Sequence, residues 1–196
     1  MVSCEPTTDC ALTPNGVGNM KQATSGFTLI ELMTTLSVLA VIVAIGMPAM
    51  AVIRRSAQVS AAFSQLTTSL ATARIMAVSR NRAVTVCPSS DGSTCRADLN
   101  WSSGWIIYLD PAREAQPASG DLVMQVAEAP NGIAVRSTVG RHRVRYLPNG
   151  MSSGTNVSFS LCSTREARLI GRVVVNNAGR TRSERTDLAS PCPYNL

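Results

Sequence analysis

The 196-residue chain is short of the groups that carry enzyme chemistry. Its one histidine, His142, lies between Arg141 and Arg143. That setting suits a phosphate contact or an exposed surface, and it does not suit a general base. No nucleophile elbow, phosphate-binding glycine loop, paired-carboxylate motif or metal-ligand run occurs. No two cysteines have the C-x-x-C spacing of zinc sites or thioredoxin-like centres. These absences argue against catalysis, a metal and a cofactor. Aromatics make up only 4% of the chain and are few near the C-terminus, which argues against a platform for stacking unpaired bases. Lysine occurs once, as Lys21. Internal repeats and low-complexity linkers are also missing.

The most informative segment is an apolar run, Phe27 to Ile53, whose only charge is Glu31. A bilayer core takes about 20 apolar residues at about 1.5 Å each, so this run can span. Lys21 precedes it and Arg54-Arg55 follow it. A cleaved secretory signal would have a shorter apolar core, about 7–15 residues, ending in a small-x-small site. This run is longer, carries an acid near its start and continues into a polar helix. A carboxylate in hydrocarbon costs about 2.5–3.5 kcal/mol on insertion scales, which makes Glu31 a candidate functional residue. A nearby helix N-terminus offsets part of that cost. Pro48, with Gly46 close by, removes a backbone hydrogen bond and bends or opens the helix.

Beyond Arg55 the pattern turns amphipathic. Val59, Phe63, Leu66, Leu70, Ala73 and Ala77 follow steps of three and four. One helix is expected from Phe27 to about Asn81. Residues 27–53 form its membrane or filament-core half, and 54–82 form one wall of a head domain. Strands are expected at 83–87, 104–110, 122–127, 133–137, 143–147, 157–162 and 167–176. Asn131-Gly132 and Pro148-Asn149-Gly150 supply turns. The fold class is α+β, a long N-terminal helix packed on an antiparallel β-sheet domain spanning 83–196. Of the six cysteines, Cys87, Cys95, Cys162 and Cys192 fall in that domain. Their wide spacing favours disulfides in an exported protein. Three pairings are open; Cys87–Cys95, closing a small loop, and Cys162–Cys192, pinning the tail, are preferred.

Ser25-Gly26-Phe27-Thr28-Leu29-Ile30-Glu31 resembles the processing site of type IV prepilins. The resemblance implies a prepilin peptidase that cuts between Gly26 and Phe27, followed by methylation of Phe27. It implies that Glu31 serves assembly by meeting the amino group of Phe27 on a neighbouring pilin subunit. Pro48 matches the family pattern as well. Residues 1–26 would then be a leader. Met20 to Gly26 alone has the usual leader length, so residues 1–19 read as an extended leader or a misassigned start. Cys4 and Cys10 would leave with them. The protein is expected in the inner membrane as a single-pass precursor, then in a periplasmic or extracellular pilus.

Cys87 to Cys95, Trp101, Gly104 to Asp110 and Tyr146 to Gly150 narrow the resemblance to the GspH/FimT group of minor pilins and pseudopilins. It runs from about Gly26 to Arg182. Trp101 and Trp105 read as core and loop packing. Gly179-Arg180-Thr181-Arg182 resembles the DNA-binding motif of FimT-type pilins, which implies roles for Arg180 and Arg182 with Gly179 shaping a loop. Arg185 joins them by proximity.

Charge is unevenly placed. Beyond residue 26 there are 17 arginines against ten acids. Residues 83–135 carry six acids and two arginines, whereas 136–196 carry ten arginines and three acids. Arg141, Arg143 and Arg145 alternate and would share one strand face. Arg172, Arg180, Arg182 and Arg185 form a second group. Guanidinium forks match phosphate oxygens and stay charged. No helix is placed to read a major groove. Binding to DNA is therefore expected through the phosphate backbone, without sequence preference and with steep salt dependence. Both groups together would be needed for about six to eight phosphate contacts. The leading expectation is a minor type IV pilin that captures DNA for uptake in natural transformation. The alternatives are a GspH-like pseudopilin of a type II secretion system and a minor pilin that only primes assembly.

Overall fold

The computed structural model describes residues 26–154, 156–186 and 190–194. The expected leader, apart from Gly26, lies outside them, and Cys4 and Cys10 with it. Among the described residues one α-helix, α1 (Leu29–Ser79), is followed by eight strands: β1 (Val84–Pro88), β2 (Trp105–Leu109), β3 (Val123–Ala127), β4 (Ile133–Ser137), β5 (Val144–Tyr146), β6 (Val157–Ser163), β7 (Arg168–Val175) and β8 (Thr181–Arg185). The chain divides into two compact units, one ending at Gly46 and one running from Met47 to Leu196.

In the N-terminal unit α1 starts at a local signal. The Glu31 amide donates to the Thr28 hydroxyl at 3.3 Å, and the Leu32 amide donates to the Thr28 carbonyl. Thr28-x-x-Glu31 is thus the sequence of a capping box. Glu31 in the first turn also favours the positive end of the helix. The apolar side chains of this unit, among them Phe27, Leu29, Ile30, Leu36 and Ile42, are exposed. So wide an apolar surface belongs against lipid or other protein.

In the second unit the amphipathic stretch of α1 forms the core. Phe63, Leu66, Leu70, Ala73 and Ala77 are buried, as their spacing required, with Ala62 beside them; Val59, the first of the stripe, is only partly buried against the same core. They pack against the inner faces of two antiparallel four-stranded sheets. The first sheet has the order β3-β2-β1-β5, and the second β4-β6-β7-β8. The strands read as one sheet in sequence are therefore split in two. Trp101 joins the sheets from the loop before β2. It is fully buried, its ring meets Phe159 edge-on at 4.8 Å, and its indole N–H donates to Ser137 Oγ at 3.2 Å.

Among the described residues two disulfides close loops: Cys87–Cys95, with Cα atoms 5.5 Å apart, and Cys162–Cys192, at 5.9 Å. The second holds the C-terminal segment on the sheet. There the Tyr194 hydroxyl donates to the carbonyls of Ala134 and Ser160, and Arg136 lies over its ring. Burial pushes the Tyr194 phenol up to about 12.

Strand β8 was not expected from the sequence. Thr181-Arg182-Ser183-Glu184-Arg185 holds no apolar residue, so it lacks the alternation that marks a half-buried strand. It forms because it is an edge strand: Arg182 and Glu184 face water while its backbone completes the ladder with β7.

Candidate phosphate-binding surface

The candidate arginines separate into two groups with different environments. Arg141, Arg143 and Arg145 are all partly buried. Arg145, on β5, is committed to the protein. Its Nε lies 2.8 Å from Asp110 Oδ2, where the side chains are 19% and 2% exposed. Asp110 also accepts from the Thr85 hydroxyl at 2.6 Å and from the Glu114 amide at 2.7 Å. The Arg145 guanidinium donates onward to the Glu114 carbonyl, as does that of Arg143. Arg143 and Arg145 thus share a face, as their alternation required. That face is turned toward the loop after β2, where Arg145 is held by the buried Asp110 carboxylate. Arg141 lies in the turn before β5 with its guanidinium over Gly154. His142 Nδ1 is buried without a hydrogen-bond partner among the described residues.

The second group is built by the β7–β8 hairpin. The Gly179 amide donates to the Asn176 carbonyl at 2.8 Å, and the Asn176 amide donates to the Arg180 carbonyl at 3.1 Å. Gly179 has φ +73°. This is a three-residue hairpin loop ending in a left-handed glycine, and its geometry sets the register of β8. In that register Val174 opposes Arg182 and Arg172 opposes Glu184. Arg172, Arg180 and Arg182 alternate on the outer face, and all three are exposed. The guanidinium groups of Arg172 and Arg180 make no ion pair or hydrogen bond with a described residue. Arg182 Nε lies 3.1 Å from Glu184 Oε1, an exposed pair. Such pairs contribute about 0–1 kcal/mol, so the guanidinium can exchange partners readily. A groove of about 440 Å³ lined by Asn156, Val174, Asn176 and the Arg180–Arg182 run lies beside them.

Two sequence expectations are corrected here. Arg180 and Arg182 are not held together on a loop; Arg180 closes the turn and Arg182 belongs to β8. Arg185 does not join them. One residue out of phase, it faces α1, donates to Ser60 Oγ at 3.1 Å and covers the Phe63 ring. Its proximity in sequence hid the alternation of a strand.

Gly179 does more than permit the turn. A Cβ there would sit 2.1 Å from the Gly150 carbonyl oxygen. The Leu147–Gly150 turn is therefore packed directly on the hairpin loop. Arg74 of α1 ties the two, donating from Nε to the Gly150 carbonyl at 2.9 Å, while the Ser152 amide donates to the Asn177 carbonyl. Tyr146, at the start of that turn, is buried, and burial pushes its phenol up to about 12. Arg74 was not among the residues expected to matter. Its signal was available: it falls four residues after Leu70, beside the buried stripe of the helix.

The family model described as "Type II transport protein GspH" matches residues 62–179, more than half of the chain. The "Prokaryotic N-terminal methylation motif" matches residues 21–47. Crystal structures of the type IV minor pilin FimU of Pseudomonas aeruginosa are similar in fold. In one crystal form the TM-score is 0.51 at 20% identity, covering 68% of this chain and 98% of FimU. In another it is 0.52 at 21% identity, covering 71% and 97%. The minor pseudopilin EpsH of the Vibrio cholerae type 2 secretion system gives 0.43 at 13% identity, covering 61% and 90%. A search of the curated proteins gave no match. The methylation motif and the apolar start of α1 fit a membrane-anchored subunit that assembles with other pilins. The chain belongs to the GspH family of type IV minor pilins and pseudopilins.

Proposed function

We propose that this minor pilin binds DNA through its phosphate backbone and serves DNA uptake in natural transformation. The carrying observation is the exposed row of Arg172, Arg180 and Arg182 on the outer face of β7–β8. A rigid strand pair presents these guanidinium groups, and the turn that aims them is locked by Gly179 against Gly150. No aromatic side chain accompanies the row, so contact is with phosphate and not with stacked bases. Sequence preference is absent and affinity falls steeply with salt. The partly buried trio Arg141, Arg143 and Arg145 is left out of the contact, which reduces the expected count of phosphates.

On this reading the chain acts without catalysis, metal or cofactor. A prepilin peptidase cleaves after Gly26, Phe27 becomes the methylated N-terminus, and Glu31 meets it on a neighbouring subunit. The precursor sits in the inner membrane by its apolar helix before moving into a periplasmic or extracellular pilus. The test is a transformation assay in a deletion strain complemented with Arg180→Ala/Arg182→Ala. Loss of uptake with normal pilus assembly is expected. Normal uptake would leave the second reading, a pseudopilin of a type II secretion system, which the family model's own description favours. In that case the same double variant would be silent, and deletion of the gene would block export of secreted proteins.

A further inference from the structure

The head domain carries a second set of uncommitted arginines. Helix α1 ends at Ser79, and the chain turns through Asn81 at φ +50° into β1. The Arg82 amide donates to the Ala77 carbonyl at 3.2 Å, and the Asn81 amide donates to the Val78 carbonyl. This left-handed cap places Arg80 and Arg82 on either side of the turn. Arg113, from the loop after β2, converges on them. Its backbone is fixed by an amide donation to the Asp110 carbonyl and by φ +59°. The three side chains line one open cleft of about 400 Å³ together with Pro111 and Pro148. All three are exposed, and none of their guanidinium groups makes an ion pair or hydrogen bond with a described residue. No carboxylate lines the cleft. The negative end of α1 supplies only about half a charge against three cations. Asp110, close in sequence to Arg113, is already neutralised by Arg145.

Pro148 connects this cleft to the surface described above. It belongs to the Leu147–Gly150 turn, which Arg74 and Gly179 clamp beside Arg180. On the other side of that turn a groove lined by Arg74, Gly179 and Arg180 runs along α1. The turn therefore stands between two basic surfaces in one compact unit.

We propose that Arg80, Arg82 and Arg113 form a second phosphate-binding cluster, so that a single DNA duplex runs from Arg172, Arg182 and Arg180 across the Leu147–Gly150 turn to the end of α1. This extension rests on the DNA-binding reading. It supplies a further set of phosphate contacts, a role for which Arg145 is too committed to Asp110.

The test uses the full chain purified in detergent and a fluorescently labelled duplex, with anisotropy measured over a salt series. Each phosphate neutralised adds about 0.9 to the slope of log Kobs against log salt. Arg80→Ala/Arg82→Ala/Arg113→Ala, with Arg180 and Arg182 intact, should lower the slope by about two to three and weaken low-salt binding at least tenfold. Circular dichroism should show the variant folded. A second triple variant, Arg54→Ala/Arg96→Ala/Arg165→Ala, removes equal charge elsewhere and should leave the slope nearly unchanged. Binding by the unaltered chain with an unchanged slope in the first variant overturns the extension and leaves the first site standing. Equal loss in both variants also overturns it, because binding then tracks net charge. If the unaltered chain does not bind, both the site and its extension fall.

Discussion

Gly179→Ala is the sharpest test of how the outer arginine row is aimed. Two separate penalties apply at this position. The backbone has φ +73°, where an L side chain costs about 1–2 kcal/mol. The new Cβ would also lie 2.1 Å from the Gly150 carbonyl oxygen, well inside contact distance. Backbone oxygen cannot rotate away as a side chain can, so the hairpin loop and the Leu147–Gly150 turn must separate. That separation breaks the Ser152–Asn177 bond and strains the Arg74–Gly150 bond. Losing net hydrogen bonds of about 1 kcal/mol each brings the total to about 3 kcal/mol. Gly140 supplies the control: its φ is +77°, and a Cβ there meets nothing within 4 Å. Gly140→Ala should cost the strain alone, about 1–2 kcal/mol. Urea denaturation of both variants measures the difference. Equal destabilisation would refute the claim that the two turns are locked together. DNA affinity should fall in Gly179→Ala and stay unchanged in Gly140→Ala, because only the first moves β8.

Other outcomes follow from particular contacts. Arg145→Ala leaves the buried Asp110 carboxylate without its cation and should destabilise the head by about 3 kcal/mol by denaturant titration, with little effect on DNA binding of the folded fraction. Glu184→Gln removes the carboxylate that competes for Arg182 and should tighten DNA binding about two- to threefold, read by anisotropy. Cys192→Ser opens the loop of 30-residue separation closed by Cys162–Cys192. Loop-closure entropy alone predicts a loss of about 3–4 kcal/mol, and a melting point lowered by roughly 10 °C in a calorimetric scan. The Asp91 carboxylate accepts from the Thr94 hydroxyl and from the amides of Ser93 and Thr94, which hold it far below the usual carboxylate range. A lowered folded-state value means the turn's stabilisation is complete above the ordinary carboxylate range and is lost only as pH falls toward that lowered value. The Ser93 and Thr94 amide NMR shifts should therefore stay constant from neutral pH down through pH 4 and move only in stronger acid.

Local signals made most of the architecture legible in the sequence. The stepped Phe63-Leu66-Leu70-Ala73-Ala77 stripe is the buried face of α1, because a period of three and four can satisfy only a helix. Trp105 to Leu109 forms a strand, as its apolar and aromatic run suggested. Two features escaped. The division into two sheets is set by non-local pairing, which leaves no short-range mark. Strand β8 is polar throughout and gains its order from the β7 backbone. The candidate site suffered from the same limits. Arg145 and Arg182 look alike as letters. One is half-buried and paired with the buried Asp110, supplied from the end of β2, and the other stands on an edge strand in water. Arg185 sits three residues beyond Arg182, yet an odd offset on a strand sends it to the opposite face.

The most direct measurement is the affinity of the full chain for duplex DNA, with and without Arg180→Ala/Arg182→Ala, at two or more salt concentrations. The account predicts a loss of about tenfold or more at low salt and a salt slope shallower by about two in the double variant. It also predicts equal effects on duplexes of unrelated sequence. Unchanged affinity and slope in the double variant would contradict it.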